Sequence, residues 1–359
     1  MGSHSQSQFS AWERIGLRFH FVTPFFRAIG VTILTVLGRL NFSPRFFRRT
    51  FRTSFLRAMT GTPKMRMRDE SPTTGQVVKA YCEDKKVPYE SVQVESKGFK
   101  STTVFFIDTT ASKSDDVLLY FHGGGYMFPL STPNVLESMR KMASLSSRKL
   151  VVLEYTLAPE SKYPGQLAQA VAATRVLLQT RKLSQLVIGG DSAGGNLTLG
   201  LLAHMIKPHP SLEALPIEDS DQLAGAFGIS ARTAIDASAP SYTFNADKDI
   251  ISAASVREIG FHWQPDREHV WAVPVKGDKA FWEGLKAKKI LLVVGADEVY
   301  LDDVREFAQI IGAEEGGATR QLTICADEVH DQWMLDMAMD IEDGHMTTAL
   351  MKWAKTLST

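Results

Sequence analysis

Cysteine is almost missing from this chain: Cys82 and Cys325 are the two among 359 residues. Neither belongs to a C-x-x-C pair or lies at metal-ligand spacing from other donors. A disulfide framework, a zinc site and dithiol redox chemistry are therefore excluded, two free thiols of a reducing compartment are expected, and no metal or cofactor is called for. Net charge is missing as well. The 40 Lys and Arg equal the 40 Asp and Glu, which removes the overall cationic bias of a nucleic-acid binder. Long apolar runs are scarce. The best, residues 19–40, is broken by His20, Pro24, Arg27 and Arg39. An arginine near mid-span costs about 2.5–3.5 kcal/mol on insertion, and a span needs ~20 clean residues. The segment reads instead as an amphipathic helix that covers a site or contacts a membrane peripherally. A signal-peptide order of basic, apolar and small residues is absent, which points to a cytoplasmic chain, membrane-associated at most through this segment. Internal repeats and low-complexity stretches are also lacking.

What is present is unevenly distributed. Twelve Lys and Arg and one acid, Glu13, fall in residues 1–68, so that segment carries +11 and the rest −11. The same segment interleaves Phe9, Phe19, Phe21, Phe25, Phe26, Phe42, Phe46, Phe47, Phe51 and Phe55 with arginines, giving helices one apolar and one cationic face. Pro63 and Pro72, with Gly61 and Gly75 close by, mark a break, so residues 1–75 are expected to form a helical cap on a body at 76–359.

In the body, 91–95 and 103–107 alternate in polarity as a strand pair. Short apolar runs at 117–121, 150–153, 186–188, 223–227, 290–294 and 322–325 read as strands covered on both faces. Helical spacing between them, as at 166–179, implies an α/β fold with a mainly parallel sheet of about eight strands and helices on both faces. About 55 residues from 230 to 288, holding Trp263, Trp271 and Trp282, interrupt this rhythm and are expected to add a cap insertion.

Chemistry enters at Gly190-Asp191-Ser192-Ala193-Gly194, between the strand 186–188 and a helical run from Asn196. A strand–GxSxG–helix sequence places a serine on a sharp turn where neighbouring side chains would collide. Some 70 residues earlier, His122-Gly123-Gly124-Gly125 follows the strand 117–121, and such a glycine loop aims backbone N–H groups at an oxygen that becomes negative. A serine hydroxyl needs an imidazole to take its proton, and the imidazole needs an acid. His330 follows the last strand, where that base belongs. His204 and His209 precede any acid loop, His262 and His269 lie in the excursion, and His345 reads as a surface residue of a helix. The loop after 290–294 offers Asp297, Glu298, Asp302 and Asp303 as acids.

These motifs, with Tyr155-Thr156-Leu157-Ala158-Pro159-Glu160 between them, resemble the hormone-sensitive lipase family of α/β-hydrolases over roughly residues 76–359. The resemblance implies the α/β-hydrolase fold and a serine carboxylic-ester hydrolase that works through an acyl-enzyme. It implies Ser192 as nucleophile, His330 as base, and Gly123, Gly124 and Ala193 as oxyanion donors. It makes His122 a loop holder and Asp191 a brace. Counting back from Asp302-Asp303 by the family's D-x-[LM]-x-D-[DE] pattern gives Glu298 as the acid, a glutamate where the family has aspartate, with Asp297 the alternative. Thr156 replaces the family's usual arginine, which touches local packing. Acyl transfer, thioester cleavage or cyclisation would use the same residues. Gibberellin receptors share the fold without the catalytic histidine. The Phe-rich N-terminus and Trp-rich excursion favour a lipophilic ester, such as an acetylated sterol, as substrate.

Overall fold

The computed structural model describes residues 25–38, 40, 42–60, 68–69, 71–109, 115–130, 132–342 and 344–358. Phe9, Phe19, Phe21, Arg39 and the break at 61–63 lie outside the described residues. The chain forms two compact units, Met1–Thr62 and Pro63–Thr359.

In the first unit, helices run over 25–38 and Pro44–Thr60. Pro44 starts the second helix where its missing N–H would have had no partner, and Phe46 N–H donates to Ser43 Oγ at 3.2 Å. Phe25 meets Phe51 edge-on at 5.7 Å, and Phe51 stacks on Phe55, so an aromatic seam joins the two helices. Phe26, Leu34, Leu37, Leu40 and Phe42 remain exposed. No helix among the described residues is long and apolar enough to cross a membrane.

The second unit is built on a nine-stranded sheet: β1 (Tyr89–Val94), β2 (Thr102–Ile107), β3 (Val117–Phe121), β4 (Lys149–Glu154), β5 (Leu186–Asp191), β6 (Gly225–Ile229), β7 (Ile290–Gly295), β8 (Glu314–Glu315) and β9 (Arg320–Cys325). Their spatial order is β1-β2-β4-β3-β5-β6-β7-β9-β8. β2 is antiparallel to both β1 and β4, and the other pairs are parallel. The ninth strand is β8, a Glu-Glu dipeptide at the edge with no apolar signature. β6 begins two residues later than its apolar run suggests, because Leu223 forms a separate bridge to Ala287.

The continuously apolar strands are apolar because both faces are covered. Val117, Leu119 and Phe121 pack with Ile188 and Leu292 on one face, where Gly165–Leu178, Ala193–Ile206 and Leu301–Ile311 supply Leu167, Leu197 and Phe307. Leu118 and Tyr120 point the other way with Val187 and Leu291, under Pro133–Leu145 and His345–Lys355, which supply Leu136, Met139 and Leu350.

The excursion after β6 contains the helices Ser241–Phe244, Ala253–Trp263 and Lys279–Trp282. Its three tryptophans are buried in the main core. Trp263 stacks on Tyr126 at 4.3 Å, Trp282 sets its edge against Phe307, and Trp271 Nε1 donates to Lys207 O at 2.8 Å. Parallel pairing brings the C-terminal ends of β3, β5, β6, β7 and β9 to one side of the sheet. His122, Ser192, Ser230, Glu298 and His330 all follow these ends.

Candidate active site

Ser192 separates β5 from the helix Ala193–Ile206 and takes φ 50°, ψ −112°, a conformation few L-residues adopt. Two glycines make that turn possible. A Cβ on Gly190 or Gly194 would overlap the Phe121 carbonyl at the end of β3. The strained serine is held by its own backbone: Ser192 N donates to Ile229 O at 2.8 Å, and Ser192 O accepts from Arg232 N at 3.2 Å.

His330 Nε2 lies 2.9 Å from Ser192 Oγ, and Nδ1 lies 3.3 Å from Glu298 Oε2. The other Glu298 oxygen accepts from Gly295 N and Ser230 Oγ, both at 2.6 Å, and the side chain is fully buried. The remaining acids of that loop go elsewhere. Asp297 pairs with Lys248 Nζ at 2.9 Å, and Asp302 accepts from Ser241 N. Asp303 is buried, which pushes its carboxyl up to about 7. The structure thus brings Ser192, His330 and Glu298 together and leaves Asp297 at a partly exposed ion pair.

The loop His122–Gly125 is clamped from several sides. His122 Nδ1 lies 2.7 Å from Gly123 O and Nε2 3.1 Å from Thr74 Oγ1, with the ring stacked on Tyr155 at 4.3 Å. Burial lowers the His122 pKa to about 4, so the ring is neutral and structural at neutral pH. Asp191 braces the same loop, accepting from Tyr120 Oη and from Gly123 N at 3.0 Å. This corrects one expectation. The Gly123 N–H, expected to be an oxyanion donor, is engaged by Asp191. The N–H groups of Gly124 and Ala193 have no hydrogen bond to another described residue.

Thr156 causes no packing defect. Gln169 donates to Thr156 Oγ1 and accepts from Thr156 N, both at 2.8 Å, while Gln166 Nε2 donates to Thr156 O. Arg68 braces the segment from outside, donating to Ala158 O at 2.7 Å and pairing with Glu160 at 2.6 Å. His345 is exposed at the start of its helix, and His269 pairs with Asp266. Burial pushes the Cys82 thiol up to about 11 and Cys325 higher still, so neither is a thiolate at neutral pH.

Three residues of the site escaped sequence reasoning. Asp249, fully buried in the excursion, accepts from His330 N at 3.0 Å and from Val299 N at 2.8 Å, tying the acid loop to the histidine loop. Ser230, after β6, donates to Glu298 and accepts from Asp331 N at 3.1 Å. Asp331 places Oδ2 3.3 Å from His330 Nε2. No spacing rule links Asp249 or Ser230 to the motifs, and Asp331, next to His330, reads in sequence as a helix cap. Burial by itself would lower the His330 pKa, but the charges of Asp331, then Glu298 and Asp249, outweigh it and raise it to about 10. Among the described residues no group of His, Cys, Asp and Glu is arranged to hold a metal.

Comparison with known proteins places this geometry. The profile of the alpha/beta hydrolase fold matches residues 118–334, more than half of the chain. The chain belongs to that family. It is 34% identical over 101 residues to steryl acetyl hydrolase 1 of Saccharomyces cerevisiae, covering 27% of this chain and 24% of that protein. It is 35% identical over 127 residues to versiconal hemiacetal acetate esterase of Aspergillus parasiticus, covering 34% and 38%. An acetyl-hydrolase of Streptomyces hygroscopicus is 30% identical over 207 residues, covering 55% and 62%. The matches thus span less than two thirds of the length of these curated relatives. Among solved structures, an esterase/lipase from an uncultured bacterium superposes with a TM-score of 0.64 at 22% identity, covering 88% of this chain and 98% of that one. An esterase of the bacterial hormone-sensitive lipase family does so with 0.61 at 22% identity, covering 82% and 96%.

The geometry separates the two candidate acids. Glu298→Gln is expected to slow labelling of Ser192 by a fluorophosphonate by about 10³–10⁴-fold, as loss of the acid leaves the imidazole in the wrong tautomer. Asp297→Asn is expected to leave the rate nearly unchanged. Rapid-quench labelling decides it, and the opposite ranking would move the acid to Asp297.

Proposed function

We propose that this protein is a serine carboxylic-ester hydrolase that acts on a lipophilic ester through an acyl-enzyme on Ser192. The observation that carries this reading is the 2.9 Å contact between His330 Nε2 and the hydroxyl of a serine held in a strained turn. Ser192 Oγ attacks the ester carbonyl while its proton passes to Nε2. The negative oxygen that forms is met by the N–H groups of Gly124 and Ala193, and Glu298 fixes the tautomer of His330 through Nδ1. Collapse of the intermediate returns the proton from Nε2 to the leaving alkoxide. A water molecule then repeats the sequence at the acyl carbonyl and frees Ser192.

The alcohol part is proposed to be bulky and apolar and the acyl part short. Tyr126, beside the glycine loop, stacks with Trp263, and Ile259 of the helix Ala253–Trp263 packs where a Gly125 side chain would be. The glycine loop is therefore roofed by aromatic and aliphatic groups. The names of the three curated relatives speak of acetyl or acetate groups, which supports a short acyl chain. The rice gibberellin receptor GID1 is also similar, at 23% identity over 235 residues. His330, in contact with Ser192, favours the enzyme over a receptor.

Ser192→Ala and His330→Ala are each expected to lower kcat for p-nitrophenyl butyrate by roughly 10⁴-fold or more, with unchanged circular dichroism. Wild-type-like turnover in either variant would overturn the reading. For residues 1–75 the proposed role is a cap over a bulky substrate, with peripheral membrane contact as its rival. Deleting residues 1–60 is expected to reduce kcat/KM for a steryl acetate while sparing p-nitrophenyl acetate. Unchanged kinetics on both would refute the cap, and salt-sensitive pelleting of the intact protein with anionic vesicles would identify a membrane role instead.

A further inference from the structure

We propose that Asp331 is a positioning residue of the same reaction: its carboxylate, beside His330 Nε2, holds a proton on that nitrogen and so sets the pH at which Ser192 becomes a nucleophile. The inference rests on the hydrolase reading above.

Asp331 precedes the helix Gln332–Met337 at the position where an aspartate ordinarily accepts hydrogen bonds from the first free N–H groups, yet its side chain makes no such cap. The backbone is left-handed there, at φ 50°, and Asp331 N–H donates to Ser230 Oγ at 3.1 Å. That turn sends the carboxyl back into the site. Oδ2 stands 3.3 Å from His330 Nε2, while Ser192 Oγ stands 2.9 Å from the same nitrogen. With Nδ1–H directed at Glu298, a neutral imidazole has a single lone pair at Nε2.

Ser192 Oγ meets hydrogen-bond geometry at that nitrogen, and Asp331 acts on it as a neighbouring charge. Asp331 is 2% exposed and its Oδ1 has no hydrogen-bond partner among the described residues, so a lone carboxylate would be poorly solvated. A proton on Nε2 relieves that cost by setting an imidazolium beside the carboxylate, and while it is there the lone pair Ser192 requires is occupied. When the pair releases this one proton to solvent, Nε2 is free to take the proton of Ser192.

The surroundings hold that proton in place. Glu298 and Asp249 face His330 from the acid loop and the excursion, and the edge of Tyr300 lies against its ring at 5.1 Å. Asp191, with Tyr120 behind it, acts on Asp331 from β5, and the Trp333 indole faces it from the following helix. Burial, then these neighbouring carboxyls, raise Asp331 well above the usual carboxylate range, while His330 itself pulls it down. The proton belongs to the pair, and its loss is displaced to alkaline pH relative to an ordinary histidine.

The test uses the full chain and Asp331→Asn, because asparagine keeps the shape, tolerates the left-handed turn and carries no charge. A full charge 3.3 Å from Nε2 is worth about one pH unit even at the dielectric of water. The acid limb of kcat/KM for p-nitrophenyl butyrate is therefore expected to move to lower pH by about one unit or more. The His330 ring, followed by NMR in ¹⁵N-histidine-labelled Ser192→Ala protein with and without Asp331→Asn, is expected to titrate with the same displacement. Superimposable acid limbs and superimposable titrations would overturn the proposal while leaving the hydrolase reading intact. A displaced titration in a protein that hydrolyses no ester would uphold the charge pairing and overturn the hydrolase reading. If Asp331→Asn lowers the melting temperature so far that it does not fold, Asp331→Gly, which adopts the left-handed turn without strain, is read by the same two measurements under the same criteria.

Discussion

One buried imidazole among buried carboxyl groups is the constraint on which the rest of this site depends. His330 touches Glu298, Asp331 and, through its backbone, Asp249, with Asp191 within electrostatic reach. Buried carboxyls in such numbers are tolerated only with dense hydrogen bonding. The loops supply it: Gly295 and Ser230 to Glu298, Val299 and Ile250 to Asp249, Gly123 and Tyr120 to Asp191. Burial nonetheless pushes Asp249 and Asp191 up to about 6. Together with the His330–Ser192 contact and the Asp331 N–H to Ser230, these bonds join the ends of β3, β5, β6, β7 and β9 into one network.

The opposite wall is set by sterics. β3 must approach the elbow closely enough for the Phe121 carbonyl to occupy the space that side chains at 190 and 194 would take. The resulting contact brings the glycine loop against the first turn of Ala193–Ile206, where a Cβ on Gly194 would also meet the His122 carbonyl. Asp191 spans the same gap from below and uses the Gly123 N–H in doing so. The excursion packs on the glycine loop through Trp263, stacked on Tyr126, and Ile259, against Gly125. Its tryptophans belong to the core.

Much of this was legible in the sequence because it is local. The elbow, the glycine loop and the strand-end position of His330 each follow from a few consecutive residues and from the order of strands. The family profile and the sheet agree with the α/β-hydrolase fold that those motifs implied. Counting back from Asp302-Asp303 led to Glu298, the carboxylate the structure places against Nδ1, while Asp297 sits with Lys248. The rest is tertiary. Asp249 lies 81 residues from its His330 partner, and Ser230 lies 68 from Glu298. Asp331 adjoins the histidine in sequence, but an aspartate ahead of a helix reads as a cap. Only the left-handed turn reveals that its carboxyl goes to Nε2. The strand β8 carries no apolar signal, and the engagement of Gly123 by Asp191 depends on the distance between two loops.

The central claim is that Ser192 carries the acyl group during turnover. Acid-quenched mass spectrometry of the enzyme in the presteady state with p-nitrophenyl butyrate tests it most directly. The account predicts a butyryl adduct on the peptide containing Ser192, formed at the rate of the p-nitrophenol burst and lost at the steady-state rate. Steady hydrolysis with no adduct on Ser192, or with the acyl group on another residue, would contradict it.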